Sequence, residues 1–161
     1  MNSRSQGKTK NSGAQWLWRY GPLLIWMAII SLASTSKFSA LNTSEVLRPI
    51  ILWIFPNLSE QQVATIHFAT RKVAHFSEYA VLGILAARAF TSSNQDWLRR
   101  HWFLISLLLV VAYALLDEFH QSFVPDRSAS IIDSVIDTAG GLTALLLIQH
   151  RFRTLNRPAI T

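Results

Sequence analysis

The chain has no cysteine, which removes disulfides, zinc–thiolate centres and thiol catalysis from consideration. Charge is scarce as well: 15% of its 161 residues are Asp, Glu, Lys or Arg, against about 25% in an average soluble domain. No Gly-x-Ser-x-Gly turn is present to raise a nucleophilic serine. His75-Phe76-Ser77-Glu78 lacks the second histidine of a zinc peptidase helix, and Asp117-Glu118-Phe119-His120 matches no metal-binding loop. Neither a metal nor another cofactor is expected, and no internal repeat or low-complexity array interrupts the chain.

Apolar residues are abundant instead, at 50% of the chain, with a mean hydropathy of +0.26. They gather into four segments long enough to approach a bilayer's thickness, at 17–33, 73–90, 102–116 and 131–148, the third lengthening if Asp117 to Phe119 continue its helix. The expected fold is therefore all-α, an integral membrane four-helix bundle. Residues 1–15, polar and rich in Ser, Lys, Gly and Asn, read as a disordered cytoplasmic tail. Residues 16–150 form the membrane domain, and 151–161 a second cytoplasmic tail. A basic start, an apolar run and Ser31-Leu32-Ala33-Ser34 also match a cleavable leader, although the run is long for one.

The net charge of +6 follows topology better than it follows nucleic acid, which is not an expected partner. Arg4, Lys8, Lys10 and Arg19 precede the first segment, Arg88, Arg99 and Arg100 lie around the second-to-third connection, and Arg151, Arg153 and Arg157 follow the fourth. Those regions share one side, so the positive-inside rule puts both termini in the cytoplasm of a multi-pass plasma-membrane protein. Trp16, Trp18, Tyr20, Trp97 and Trp102 fall where aromatic side chains favour the headgroup boundary. In the first outer loop, residues 46–55, bounded by Pro56, are too few to span, so an extra interfacial or re-entrant helix is expected there. Ser59 with Gln62 forms a capping-box pattern that starts a helix at Glu60.

Polar groups interrupt this apolar pattern in two places. Lys72, His75 and Tyr79 follow helical spacing and share a face with Leu82, Glu78 lies beside it, and Arg71 adjoins the outer end. The simpler account is that Arg71 and Lys72 anchor the outer end by snorkelling and that Tyr79 is an interface aromatic. His75 and Glu78 lie deeper and require partners. Asp117 and Gln121, four apart, share a face that Tyr113 extends, with Glu118 adjacent and His120 nearby. The competing account makes them the solvated end of a helix. The short loop 123–127 ties the third and fourth segments together and holds Arg127 near Asp133, as a ligand contact or as a loop-closing ion pair. Asp133 and Asp137 lie one turn apart in the fourth segment, Asp137 roughly 9 Å beyond Ile131 at a rise of 1.5 Å per residue. They either lock the bundle by pairing with Lys72, His75 or Arg127, or serve a site. Gly140 and Gly141 follow, where small residues let helices approach closely.

Three blocks in order, Arg71-Lys72-x-x-His75-x-x-Glu78-Tyr79-x-x-Leu82-Gly83, Asp117-Glu118-x-His120-Gln121-x-Phe123-Val124-Pro125-x-Arg127 and Asp133-x-x-x-Asp137-x-x-Gly140, resemble the VanZ-like family of small bacterial membrane proteins over residues 17–148. Asp126 stands where many relatives have Gly, and Asp137 where many have Asn. The resemblance implies a bacterial envelope protein, and it links the family to resistance to the glycopeptide teicoplanin without supplying a mechanism. The expected activity is binding, at an outer-leaflet cavity between the second, third and fourth segments, of a polar or anionic envelope component such as a lipid-linked cell-wall precursor. Arg71, Lys72 and Arg127 would engage phosphate or carboxylate, oriented by Glu78, Asp117, Glu118, Asp133 and Asp137. The bilayer is the expected partner, with a wall precursor or a glycopeptide as ligand. Catalysis is not the leading expectation, but two alternatives stay open: an intramembrane hydrolase or transferase acting on envelope lipids through His75, and a small transporter using Asp133 and Asp137 as a proton relay.

Overall fold

A computed structural model describes residues 7–35, 40–124 and 130–155, with side chains from residue 13 onward in the first stretch and from 45 in the second. Six helices and no strand occur among them: α1 (Gly7–Ala33), α2 (Ala40–Ile54), α3 (Glu60–Thr91), α4 (Asp96–Arg100), α5 (Trp102–Gln121) and α6 (Ile131–Leu155). Helix α1 begins inside the stretch assigned to a polar tail, because extending an existing helix costs far less than nucleating one. The capping box is formed: Ser59 Oγ accepts the Gln62 N–H at 3.3 Å and Gln62 Oε1 accepts the Ser59 N–H at 2.8 Å, so α3 starts at Glu60. Helix α5 runs on to Gln121, which keeps Asp117, Glu118 and Gln121 inside the helical ladder and buried rather than on a solvated end.

Three helices are long and apolar enough to cross a membrane, at Gly13–Ala33, Trp102–Gln121 and Ile131–Leu155. The fourth expected span lies within α3 and does not reach the same apolar standard, because His75, Ser77, Glu78 and Arg88 dilute it. Helix α3 is nonetheless the hub, packing on α1, α5 and α6, with α5 also against α6. Its buried face is Tyr79, Leu82, Gly83, Ala86, Ala87 and Ala89, joined by Leu23 and Ile30 of α1 and by Val110 and Ala114 of α5. Large apolar residues point outward instead, among them Leu17, Ile25 and Leu32 on α1, Leu104, Leu108 and Leu116 on α5, and Ile132, Val135 and Leu147 on α6. An apolar exterior of that extent is a lipid-facing surface, since in water it would drive aggregation. Helix α2 packs on α3 through buried Ile51 and leaves Trp53 85% exposed, and Arg48 joins it to Glu60 at 2.5 Å.

Glycine sets the closeness of α3 to α6. A Cβ at Gly83 would lie 2.8 Å from the Gly141 carbonyl oxygen, and one at Gly140 would press into the Phe76 carbonyl. At Gly141 it would meet Val110 of α5 at 2.5 Å. These contacts are with backbone or with a stiff β-branched side chain, which cannot swing aside. Proline shapes α1 in a different way. Pro22 has no N–H, so the carbonyl four residues earlier, that of Trp18, loses its intrahelical donor. The Arg88 guanidinium supplies a replacement at 3.0 Å and lies 5.5 Å from the Trp18 ring centroid. A charge inside α3 thus has a local task, to satisfy a backbone acceptor that the helix itself cannot.

Gly140→Ala is expected to destabilise the purified protein by about 1–3 kcal/mol, the usual cost of overpacking a tight contact. Gly13→Ala, inside α1 where a Cβ meets nothing within 4 Å, should not destabilise and should gain up to about 1 kcal/mol of helix propensity. Thermal melting in a mild detergent compares them, and equal midpoints would show that the α3–α6 contact is looser than described.

Candidate functional site

Helix directions bring the polar residues to one end. Helices α3 and α6 run parallel, as the contacts of Lys72 with Asp133 and of His75 with Asp137 show, while α5 runs antiparallel to α6. Periodicity does the rest: Lys72 and His75 lie one turn apart on α3, as Asp133 and Asp137 do on α6, so two pairs stack along one interface. Lys72 Nζ and Asp133 Oδ1 form the outer ion pair, with only 22% and 13% of their side chains exposed. Lys72 also lies 4.9 Å from the Phe68 ring centroid. Beneath it, His75 Nδ1 is 3.4 Å from Asp137 Oδ1, and Asp137 is fully buried. That separation is longer than a hydrogen bond, and neither carboxylate oxygen of Asp137 has a hydrogen-bond partner among the described residues.

Asp117 is held by a different set. Ser34 Oγ donates to its Oδ1 at 2.5 Å, and Gln121 Nε2 to its Oδ2 at 2.9 Å, the latter confirming the shared α5 face. Glu118 accepts the Ser130 backbone N–H on Oε2 at 2.6 Å, which fastens the first turn of α6 to the last turn of α5. Its other oxygen, Oε1, is buried and has no hydrogen-bond partner among the described residues, and Glu118 is only 6% exposed. The side chain lines a groove of about 270 Å³ between α5 and α6, with Ser122, Ser130 and Ser134 as polar neighbours and Leu115, Phe119 and Ile131 as apolar ones.

Of the residues singled out from the sequence, Lys72, His75, Asp133 and Asp137 meet in pairs, and Asp117, Glu118 and Gln121 cluster at the same end on α5. Tyr79 is fully buried in the core, its hydroxyl directed at the Tyr113 carbonyl at 3.4 Å. It is therefore a packing residue and not an interfacial anchor. Glu78 is half-buried, and its backbone carbonyl accepts the Trp26 indole N–H at 2.9 Å. Arg71 is half-buried and takes no part in the two pairs. His120 is exposed, one residue off the buried Asp117–Gln121 face, and does not join the cluster. Arg127, with the turn at Asp126, lies outside the described residues. Asp133 takes Lys72 as its partner.

Helix α1 is the contributor that the sequence reading left out. Besides Ser34 on Asp117, Ser31 Oγ lies 2.6 Å from the Tyr113 hydroxyl, which donates at 2.5 Å to the Met27 carbonyl. The signal was present, since Ser31 and Ser34 lie at the end of an otherwise apolar run. Small residues there equally suit a leader cleavage site, and one-dimensional pattern does not separate the two. No group of three His, Cys, Asp or Glu among the described residues is arranged to hold a metal ion.

An all-helical membrane protein with a layer of paired ionisable groups buried between helices at one end is the class these features define. The chain belongs to the VanZ/LLP1 family, whose model matches residues 19–153 and so covers the helices that build the polar layer. No curated protein and no solved structure matches it.

Lys72→Ala leaves the Asp133 carboxylate almost buried without its counter-charge and is expected to cost about 3–5 kcal/mol, as breaking one partner of a buried pair does. Lys72→Ala combined with Asp133→Ala should cost clearly less than the two single changes added together. Unfolding midpoints of the four proteins in detergent test this. Strict additivity would mean that the two side chains do not interact.

Proposed function

We propose that this protein is a bacterial plasma-membrane binding protein for a polar envelope component, and that α3 crosses the membrane as a fourth span with both termini cytoplasmic. Supporting the topology, Lys72, thirteen residues into α3, and Ser93, just past its end, lie in the two polar layers, and the 20 residues between them amount to roughly 30 Å of helix, about one hydrocarbon thickness. A helix packed on three others, each long and apolar enough to cross a bilayer, is expected to cross with them. Full-chain topology is open to direct measurement because the chain has no native cysteine. Gln61→Cys and Gln95→Cys, both at exposed positions at opposite ends of α3, should label from opposite sides with an impermeant maleimide, Gln61→Cys in intact cells and Gln95→Cys after permeabilisation. Labelling of both from one side would remove the fourth span.

The observation that carries the binding reading is the free oxygen of Glu118. A buried carboxylate oxygen without a donor among the described residues is costly, and the Glu118 side chain that carries it lines a groove with apolar walls and three serines. Such a site takes a ligand that offers hydrogen-bond donors beside an apolar chain. A lipid-linked cell-wall precursor has this composition, with hydroxyl and amide groups for Glu118 and an isoprenoid chain for Leu115, Phe119 and Ile131. Phosphate is not the group that Glu118 would hold, since like charges repel. Arg71 is the half-buried cation at the same end that is suited to it. Occupancy of such a precursor would change the access of a glycopeptide such as teicoplanin to its target, which is how a role in resistance would arise.

Purified protein in nanodiscs, titrated with lipid-linked wall precursor, should bind it, and Glu118→Gln should weaken binding about 10–100-fold, as expected for a lost hydrogen bond to a charged group of about 1.5–3 kcal/mol. Precursor binding that is absent, or unchanged in a Glu118→Gln protein of normal melting temperature, defeats the reading.

A second reading, an intramembrane hydrolase of envelope lipids, draws on His75 beside fully buried Asp137, an arrangement in which a carboxylate orients an imidazole as general base. It requires a product from labelled envelope lipids that disappears in His75→Ala, whereas binding alone yields none.

A further inference from the structure

A second groove lies at the other end of the helices, where no residue of the polar layer reaches. It occupies about 720 Å³ between α1 and the turn that joins α3 to α4. One wall is apolar, made by Leu23, Leu24 and Phe90, and the rim is polar, made by Arg19, Ser93 and Asn94. Trp16 and Leu24 are 52% and 50% exposed, so the groove is open along the flank of α1 that faces lipid. Tyr20 braces its base: its hydroxyl donates to Ser93 Oγ at 3.2 Å and its ring packs edge-on against Phe90 at 6.5 Å.

Arg19 is the group that gives this groove a preference. It donates to Asn94 Oδ1 at 2.9 Å, which fixes the guanidinium at the rim while leaving most of its five N–H donors unused. Competing carboxylates are nearly absent. Of the nine acidic residues in the chain, Asp96 alone falls between Glu78 and Asp117, none precedes Glu45 and none follows Asp137. Asp96 is already paired with Arg99. Arg88, Arg99, Arg100, Arg151 and Arg153 supply positive charge to the same end of the helices. A fixed planar donor beside an apolar wall, in a field of one sign, at a level marked by Trp16, Trp18 and Trp97, matches the boundary of a bilayer where anionic headgroups lie.

We infer that the groove between α1 and the α3–α4 turn binds one anionic glycerophospholipid, its phosphate held by Arg19 and its acyl chain laid against Leu23, Leu24 and Phe90. The guanidinium accepts a phosphate through two parallel hydrogen bonds, and Ser93 and Asn94 border the same headgroup position. The inference rests on the membrane reading of α1 and α3 but not on any ligand at Glu118. The lipid would fasten α1 to the α3–α4 turn from the inner leaflet, independently of the Ser34–Asp117 contact at the opposite end.

Native mass spectrometry of the full chain in mild detergent, titrated with phosphatidylglycerol or with phosphatidylcholine of the same acyl chains, tests it. One phosphatidylglycerol is expected to be retained at least 10-fold more tightly than phosphatidylcholine. Arg19→Gln should abolish the difference, Arg19→Lys should keep part of it, and Arg153→Gln should leave it intact. Leu24→Trp, which fills the apolar wall, should weaken phosphatidylglycerol binding without removing any charge, and it serves as the independent check if Arg19→Gln folds poorly. Glu118→Gln should bind phosphatidylglycerol as the wild type does, so failure here and failure of the wall-precursor reading are separable. Equal retention of the two lipids, a preference that survives Arg19→Gln, or displacement by millimolar inorganic phosphate would each overturn the inference.

Discussion

The close approach of α3 to α6 is the constraint on which the rest of the structure depends. Glycines at 83, 140 and 141 let the two backbones come together where any side chain would hold them apart. That distance is what allows Lys72 to reach Asp133 and His75 to reach Asp137. Between helices separated by ordinary side chains, each of these groups would have to recruit water or turn toward lipid, and both are expensive at membrane depth. Packing and charge pairing are therefore one device here. The small residues provide van der Waals contact, and the contact in turn makes buried charge tolerable.

Around that seam the other helices meet specific needs. Helix α5 closes the far side with Val110 against Gly141, and through Glu118 it fastens the start of α6. Helix α1 completes the arrangement from outside, with Ser34 on Asp117 at one end, Trp26 on the Glu78 carbonyl in the middle and Arg19 on Asn94 at the other. Its one irregularity, Pro22, is compensated by Arg88 from α3. Donors and acceptors thus connect helices as well as satisfying themselves, which matters in a protein whose exterior is apolar and whose helices gain little from hydrophobic burial against one another.

The two ends of the molecule differ in chemistry. Acidic residues and their partners gather at the Lys72 end, where the Glu118 side chain lines a groove. Arginines gather at the Ser93 end, where acid is nearly absent. Those opposite balances follow in part from the direction in which the helices run: Arg88 of α3 and Arg151 and Arg153 of parallel α6 come late, whereas Arg71 and Lys72 lie with the acids at the other end.

Much of this was legible in the sequence because it rests on local rules. Helical periodicity placed Lys72, His75 and Tyr79 on one face and Asp117 with Gln121 on another, and the Ser59–Gln62 pattern marked the start of α3. Apolar run length identified membrane-crossing helices in α1, α5 and α6, but it could not show that a helix as polar as α3 would be the hub, because the pairing of its charges depends on neighbours 60 residues away in sequence. By spacing, Tyr79 and His120 both belong with the polar cluster, yet Tyr79 is core and His120 is exposed. Nothing local distinguishes such cases. Which serine caps which carboxylate, which arginine replaces a missing proline N–H and which acid retains an open oxygen were decided by the tertiary structure alone, since each is a contact between helices and the chain's own spacing fixes only what happens within one.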